Sequence, residues 1–178
     1  MQWKSSPQRY GRVAIALHWV SALAILVMLA SGLAAANAVE TGPKLSILSV
    51  HASVGACVLL LSVMRIVWWI FIDRRPDAQA GMPGWQIAIS HIVHYGLYVV
   101  IVVMLASGIA LAILSGLVPI LLGAPAPLPD FSTFAPRNAH GLGSWIMIGL
   151  LSLHILAALY HQFIRRDRLL ARMGIGSV

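Results

Sequence analysis

Four apolar stretches are separated by proline-containing connections, and each exceeds the roughly 20 residues that cross a bilayer core of about 30 Å. The pattern predicts helices at about Val13–Ala36, Leu45–Ile72, Trp85–Leu114 and Ala139–Ile164. Unpaired backbone N–H and C=O groups are too costly in lipid for irregular chain, so each span must close its hydrogen bonds internally. Pro7, Pro43, Pro76, Pro83 and the run from Pro119 to Pro136 fall before or between the spans, where a missing N–H costs least. The expected fold is an all-α integral membrane four-helix bundle, one transmembrane domain over residues 1–178. The first span is too long for a signal-peptide core and lacks a clear cleavage pattern, so it reads as a retained helix.

Composition agrees. Of 178 residues 60% are hydrophobic and only 10% charged, and the mean hydropathy is +0.87. A soluble domain of this length needs far more charge on its surface. The formal charge of +7 would suggest nucleic acid in a soluble protein; here its distribution sets orientation and no nucleic-acid partner is expected. Lys4, Arg9, Arg12, Arg74, Arg75, Arg165, Arg166, Arg168 and Arg172 fall on one side, against Lys44 and Arg137 on the other. Both termini are therefore expected to be cytoplasmic, with lipid as the surrounding partner. The single cysteine, Cys57, excludes an internal disulfide and any Cys-based zinc or iron–sulfur site, and reads as a packing residue.

A short repeat is visible: Met28-Leu29-Ala30-Ser31-Gly32 recurs as Met104-Leu105-Ala106-Ser107-Gly108. In both copies a histidine followed by an aromatic, His18-Trp19 or His94-Tyr95, lies 14 residues before the glycine. The first and third spans are thus expected to play similar structural parts.

No Asp or Glu lies inside a span, whereas all seven histidines lie in or beside one. Ion and proton pathways usually require intramembrane carboxylates; haem iron takes neutral imidazole. His140 and His154 are separated by about 21 Å of helix rise and face within about 40° of each other, which suits two stacked haems. Counting depth from each span's entrance, His51 matches His140 near the outer side and His18 matches His154 near the inner side. His94, the repeat counterpart of His18, also reaches the depth of His154. Arg65 lies on the face of His51 at the inner depth and is a candidate partner for haem propionates or a quinone. Gly32 and Gly108 lie at the outer depth and are candidates for porphyrin clearance. His91 and His94, three residues apart, are candidates for propionate or quinone contacts. The bland alternatives are interhelical hydrogen bonding for a lone histidine, small-residue packing for the glycines and snorkelling for Arg65. His161, Trp68, Trp69 and Trp85 read as interfacial residues.

The chain resembles bacterial cytochrome b561, within the wider group that includes the cytochrome b subunits of formate dehydrogenase and nickel–iron hydrogenase. The resemblance rests on Arg12-Val13-Ala14-Ile15-Ala16-Leu17-His18-Trp19, His51-Ala52-Ser53-Val54-Gly55, Val63-Met64-Arg65, His91-Ile92-Val93-His94, and Asn138-Ala139-His140 followed by His154. It implies four helices, two b haems and quinone-linked electron transport in the bacterial inner membrane. It also implies axial-ligand roles for His18, His51, His140 and His154, and pairs His18, rather than His94, with His154. The Pro-rich apolar segment Ser115–Arg137, with Leu117–Leu122 able to dip into the interface, has no counterpart in that pattern.

A bis-histidine iron has no open position, which favours outer-sphere electron transfer. The expected function is a di-haem b cytochrome linking an unknown periplasmic one-electron donor to the quinone pool, with ubiquinone as a candidate substrate. Some family members are similar to superoxide oxidases, and Lys44 and Arg137 are placed to attract an anion on the outer side. Whether the chain is an enzyme in that sense or an electron carrier is left open by the sequence. From a different class, histidines lining a transition-metal transporter without haem are the rival, weakened by the missing acidic and thiolate ligands. A purely structural anchor for a redox partner is the third reading.

Overall fold

The computed structural model describes residues 2–78 and 81–176. Four helices are long and apolar enough to cross a membrane: Arg12–Asn37, Thr41–Ile72, Gly84–Leu114 and Pro136–Arg165. In chain order the α-helices are α1 (Arg12–Asn37), α2 (Thr41–Val67), α3 (Gly84–Leu114), the short α4 (Leu117–Leu121) and α5 (Pro136–Leu159). The class is all-α, with no strand among the described residues. The two starts that precede their apolar runs share a cause. Pro43 and Pro136 sit in the first turns of α2 and α5, where a helix has no use for the N–H that proline lacks.

The ends of α2 and α5 widen into π-helical turns, Trp68–Ile72 and Tyr160–Arg165. In the first, the Asp73 N–H reaches the Trp68 carbonyl at 2.9 Å and the chain leaves in extended conformation. In the second, Arg166 turns left-handed at φ 56° and its N–H returns to the His161 carbonyl. Only 6–11% of the most apolar stretch of each span is buried within the protein. The exposed remainder is large and apolar, as at Leu23, Leu60, Ile113 and Leu156. Surfaces of that kind belong in hydrocarbon rather than water.

The chain forms two compact units. The first comprises Met1–Leu23, Leu60–Gly96 and Leu150–Val178. In it the N-terminal arm is tied to the end of α2 at Asp73, whose carboxylate accepts from Ser5 N–H, Ser5 Oγ, Trp68 Nε1 and Arg74 N–H at 2.8–3.1 Å. Burial raises the Asp73 pKa, but these hydrogen bonds outweigh it and hold the carboxyl below its ordinary value. Arg172 in the tail adds a clasp, donating to the carbonyls of Gln8 at 2.8 Å and Asp77 at 2.7 Å.

The second unit comprises Ala24–Leu59 and Leu97–Gly149. Here the apolar segment after α3 folds into α4, with Leu117 and Ile120 buried. Gly116 at φ 70° makes the turn into it, a conformation glycine adopts without penalty. Asp130 then caps the Phe131–Thr133 turn by accepting from Ser132 N–H.

Candidate functional site

Each unit holds a set of histidines contributed by different helices. In the second, His51 on α2 faces His140 on α5 with ring centres 6.2 Å apart. Both rings are gripped by the repeat. Ser31 Oγ lies 2.9 Å from His51 Nδ1, and Ser107 Oγ lies 3.1 Å from His140 Nδ1. The backbone carbonyls of Met28 and Met104 also receive hydrogen bonds from His51 and His140 respectively, the latter at 3.1 Å. Gly32 and Gly108 follow the two serines. A Cβ at either would come within 3.1 Å of the neighbouring histidine Cε1, tighter than an ordinary contact. The group standing against each glycine is therefore an imidazole edge.

In the first unit, His18 on α1 and His154 on α5 have ring centres 6.1 Å apart. His94 on α3 approaches His154 more closely, at 5.1 Å, and its Nδ1 bonds the Ser90 carbonyl at 2.6 Å. Trp19 packs edge-on against His18 at 5.3 Å and donates from Nε1 to the Met173 carbonyl. Arg65 on α2 is half-buried, near enough for its charge to act on His18, His94 and His154. His91 is exposed and stacks edge-on with Tyr95 at 6.2 Å, yet lies near enough for its charge to act on His94.

His161 lies at the end of the fourth span, in the π-helical turn. It is 8% exposed, and its Nδ1 pairs with the Asp167 carboxylate, which Arg165 Nε also approaches at 3.7 Å. The π-helical turn brings Asp167 back over the helix end, a register that a regular helical projection of the sequence does not reveal.

A histidine nitrogen binds a first-row metal at about 2.0–2.1 Å, and its ring centre lies about 1.1 Å behind it, so two rings gripping one iron have centres about 6.3 Å apart. The His18–His154 and His51–His140 separations of 6.1 and 6.2 Å meet that requirement. The 5.1 Å between His94 and His154 is short for it. The residues present thus fit axial ligation of haem. No group of three or more His, Cys, Asp or Glu side chains placed to hold a bare metal ion occurs among the described residues.

Four apolar helices with imidazoles paired inside them define a multi-pass membrane cytochrome. Residues 9–176 match the prokaryotic cytochrome b561 family, and the chain belongs to it. It is 27% identical over 184 residues to cytochrome b561 homolog 2 of Escherichia coli (strain K12), covering 97% of this chain and 95% of the relative. It is 29% identical over 175 residues to cytochrome b561 homolog 1 of the same strain, covering 93% and 96%. A probable superoxide oxidase CybB of Yersinia pestis is 24% identical over 174 residues, again covering 93% and 96%. Membership implies haem b and electron transfer in a membrane.

Proposed function

We propose that the chain is a di-haem b cytochrome of the bacterial inner membrane that moves electrons between a periplasmic one-electron donor and the quinone pool. The observation that supports it best is the pair of imidazole separations, 6.1 and 6.2 Å, each between histidines on different helices. His51 and His140 would hold one haem, and His18 and His154 the other. Haem bound by two histidines supplies reversible one-electron transfer at low-spin iron with no position open to oxygen.

The chain's own residues do the rest. Arg65, beside the His18/His154 pair, offers a guanidinium to propionates or to a quinone head group. His91 and His94 border the same end of α3 and are the remaining candidates for that contact. Gly32 and Gly108 keep side chains away from the ligand rings. The excess of arginine and lysine near the first unit's termini supports a cytoplasmic placement of that end. The test is a haem assay on the purified protein. Two b haems per chain with low-spin spectra, both reducible by a quinol, are expected; one haem or none contradicts the proposal.

A superoxide oxidase is the second reading, favoured by one specific observation. Arg137 is half-buried one helical turn from His140, close enough for its charge to act on that ring. A cation at that position attracts an anionic one-electron donor to the outer haem. Pulse-generated superoxide should then reduce the purified protein at near diffusion-limited rates, and absence of reduction removes this reading.

A further inference from the structure

The serines of the repeat do more than pack. The Ser31 hydroxyl donates to the Val27 carbonyl at 2.7 Å, and Ser107 repeats the bond to Val103 at 2.7 Å. Each serine has one hydrogen, and it points back to the backbone, where the carbonyls four and three residues earlier lie at 2.7 and 3.2 Å. The oxygen then turns only lone pairs toward the imidazole beyond, at 2.9 Å for His51 and 3.1 Å for His140. A short contact between an oxygen lone pair and Nδ1 requires the proton to sit on Nδ1. The methionine carbonyls next to each serine accept from the same ring and impose the same choice.

We propose that Ser31 and Ser107 are positioning residues that fix His51 and His140 in the Nδ1–H tautomer, leaving the Nε2 lone pair of each for the iron. The proposal rests on the haem-ligand reading above. Its strength is duplication. Two helices that share the Met-Leu-Ala-Ser-Gly repeat present the same three groups to two different histidines: methionine carbonyl, serine oxygen and a glycine gap.

The methionine side chains complete the match, crossing to the histidine-bearing helices. A Cβ at Gly55 would lie 3.2 Å from Met28 Cε, and one at Gly143 would lie 2.7 Å from Met104 Sδ. The repeat is thus a cradle used twice, so that His51 and His140, which would hold one haem between them, receive the same outer hydrogen bond. Accepting from Nδ1 makes the imidazole a stronger donor to iron and favours the ferric state. Partners of this kind typically change metal affinity by about tenfold or more when removed.

The experiment compares Ser31→Ala and Ser107→Ala with Ser31→Thr, Ser107→Thr and the control Ser53→Ala, whose hydroxyl makes only the back-bond to the Ser49 carbonyl. The readouts are haem transfer to apomyoglobin and the midpoints of the two haems. Both alanine variants are expected to release the same haem about tenfold faster and to raise its midpoint, a tenfold change in the reduction constant being about 59 mV. The other haem, threonine variants and control should match wild type. Where an alanine variant does not yield folded protein, Ser→Cys, a poor acceptor of similar size, replaces it under the same criteria. The proposal is overturned if both readouts stay within twofold of wild type, or if both haems shift alike. His51→Ala, run alongside, separates the two failures: if it keeps both haems, the ligand reading itself is wrong.

Discussion

Replacing Gly108 with alanine puts a methyl group against the ring of His140, and the structure gives the size of the conflict. The new carbon would sit 3.1 Å from Cε1 and 3.4 Å from Nδ1, whereas unstrained carbon contacts settle at about 3.5–4.0 Å. The ring must yield by a few tenths of an ångström while Ser107 and Met104 hold its Nδ1. Overpacking of this kind costs about 1–3 kcal/mol. Without haem the ring can yield by loosening its bonds to Ser107 and Met104, whereas an iron bond would hold it in place, so most of the cost would fall on the bound state. At about 1.4 kcal/mol per decade, haem affinity should drop by roughly tenfold. Global stability should change little, because alanine recovers about 1 kcal/mol of helix propensity. Gly32→Ala, with contacts of 3.1 and 3.6 Å to His51, should have the same effect, somewhat weaker. Gly149→Ala on α5 meets nothing within 4 Å and should keep its haem. Haem-to-protein ratio, haem transfer to apomyoglobin and thermal unfolding would be measured together. Wild-type haem retention by Gly108→Ala, or equal loss from Gly149→Ala, refutes the reasoning.

His94→Ala should retain two haems, while His18→Ala and His154→Ala should each lose the same one; haem stoichiometry decides, and loss on removing His94 with retention on removing His18 reverses the pairing. Asp73→Asn should destabilise the protein by about 2 kcal/mol through weakened charged hydrogen bonds. Because the folded carboxyl titrates below its ordinary 3.8, that stabilisation is present above this value and is lost as pH falls through the lower folded value; thermal melts against pH should show wild type and variant converging in acid. Arg137→Gln should slow reduction by superoxide several-fold at low ionic strength, with the difference closing as salt is added. Stopped-flow at two salt concentrations checks it, and a salt-independent rate removes the steering role.

The spans were legible because apolar length and helix are nearly the same statement in a membrane: Val13–Ala36 and Trp85–Leu114 lie within one residue of α1 and α3 at each end. The starts of α2 and α5 were read late, since Thr41-Gly42-Pro43-Lys44 and Pro136-Arg137-Asn138 are polar or helix-breaking in composition yet harmless in a first turn. The segment Leu117–Leu122, apolar enough to dip into the interface, forms α4 over Leu117–Leu121 with two of its apolar residues buried, a helix that its proline-containing composition did not announce.

Of the site, residue types and matched positions along the spans were readable, and the structure brings His51 to His140 and both His18 and His94 to His154. His91 stays exposed at the edge of the site, beside His94. The hydrogen-bond partners of the rings were not readable, because they depend on how one helix is rotated against another. The repeat stood out in the sequence, yet nothing local ties Ser31 to a histidine 20 residues on, or Ser107 to one 33 residues on. The Ser5–Asp73 tie, across 68 residues, was hidden for the same reason.

The most direct test is a redox titration of the wild type and the four single variants His18→Ala, His51→Ala, His140→Ala and His154→Ala, followed in the haem α band. Wild type should titrate in two one-electron steps. His51→Ala and His140→Ala should lack or disturb one step, and His18→Ala and His154→Ala the other. Any variant that leaves both steps intact, or a pair that disturbs different steps, contradicts the proposed ligation.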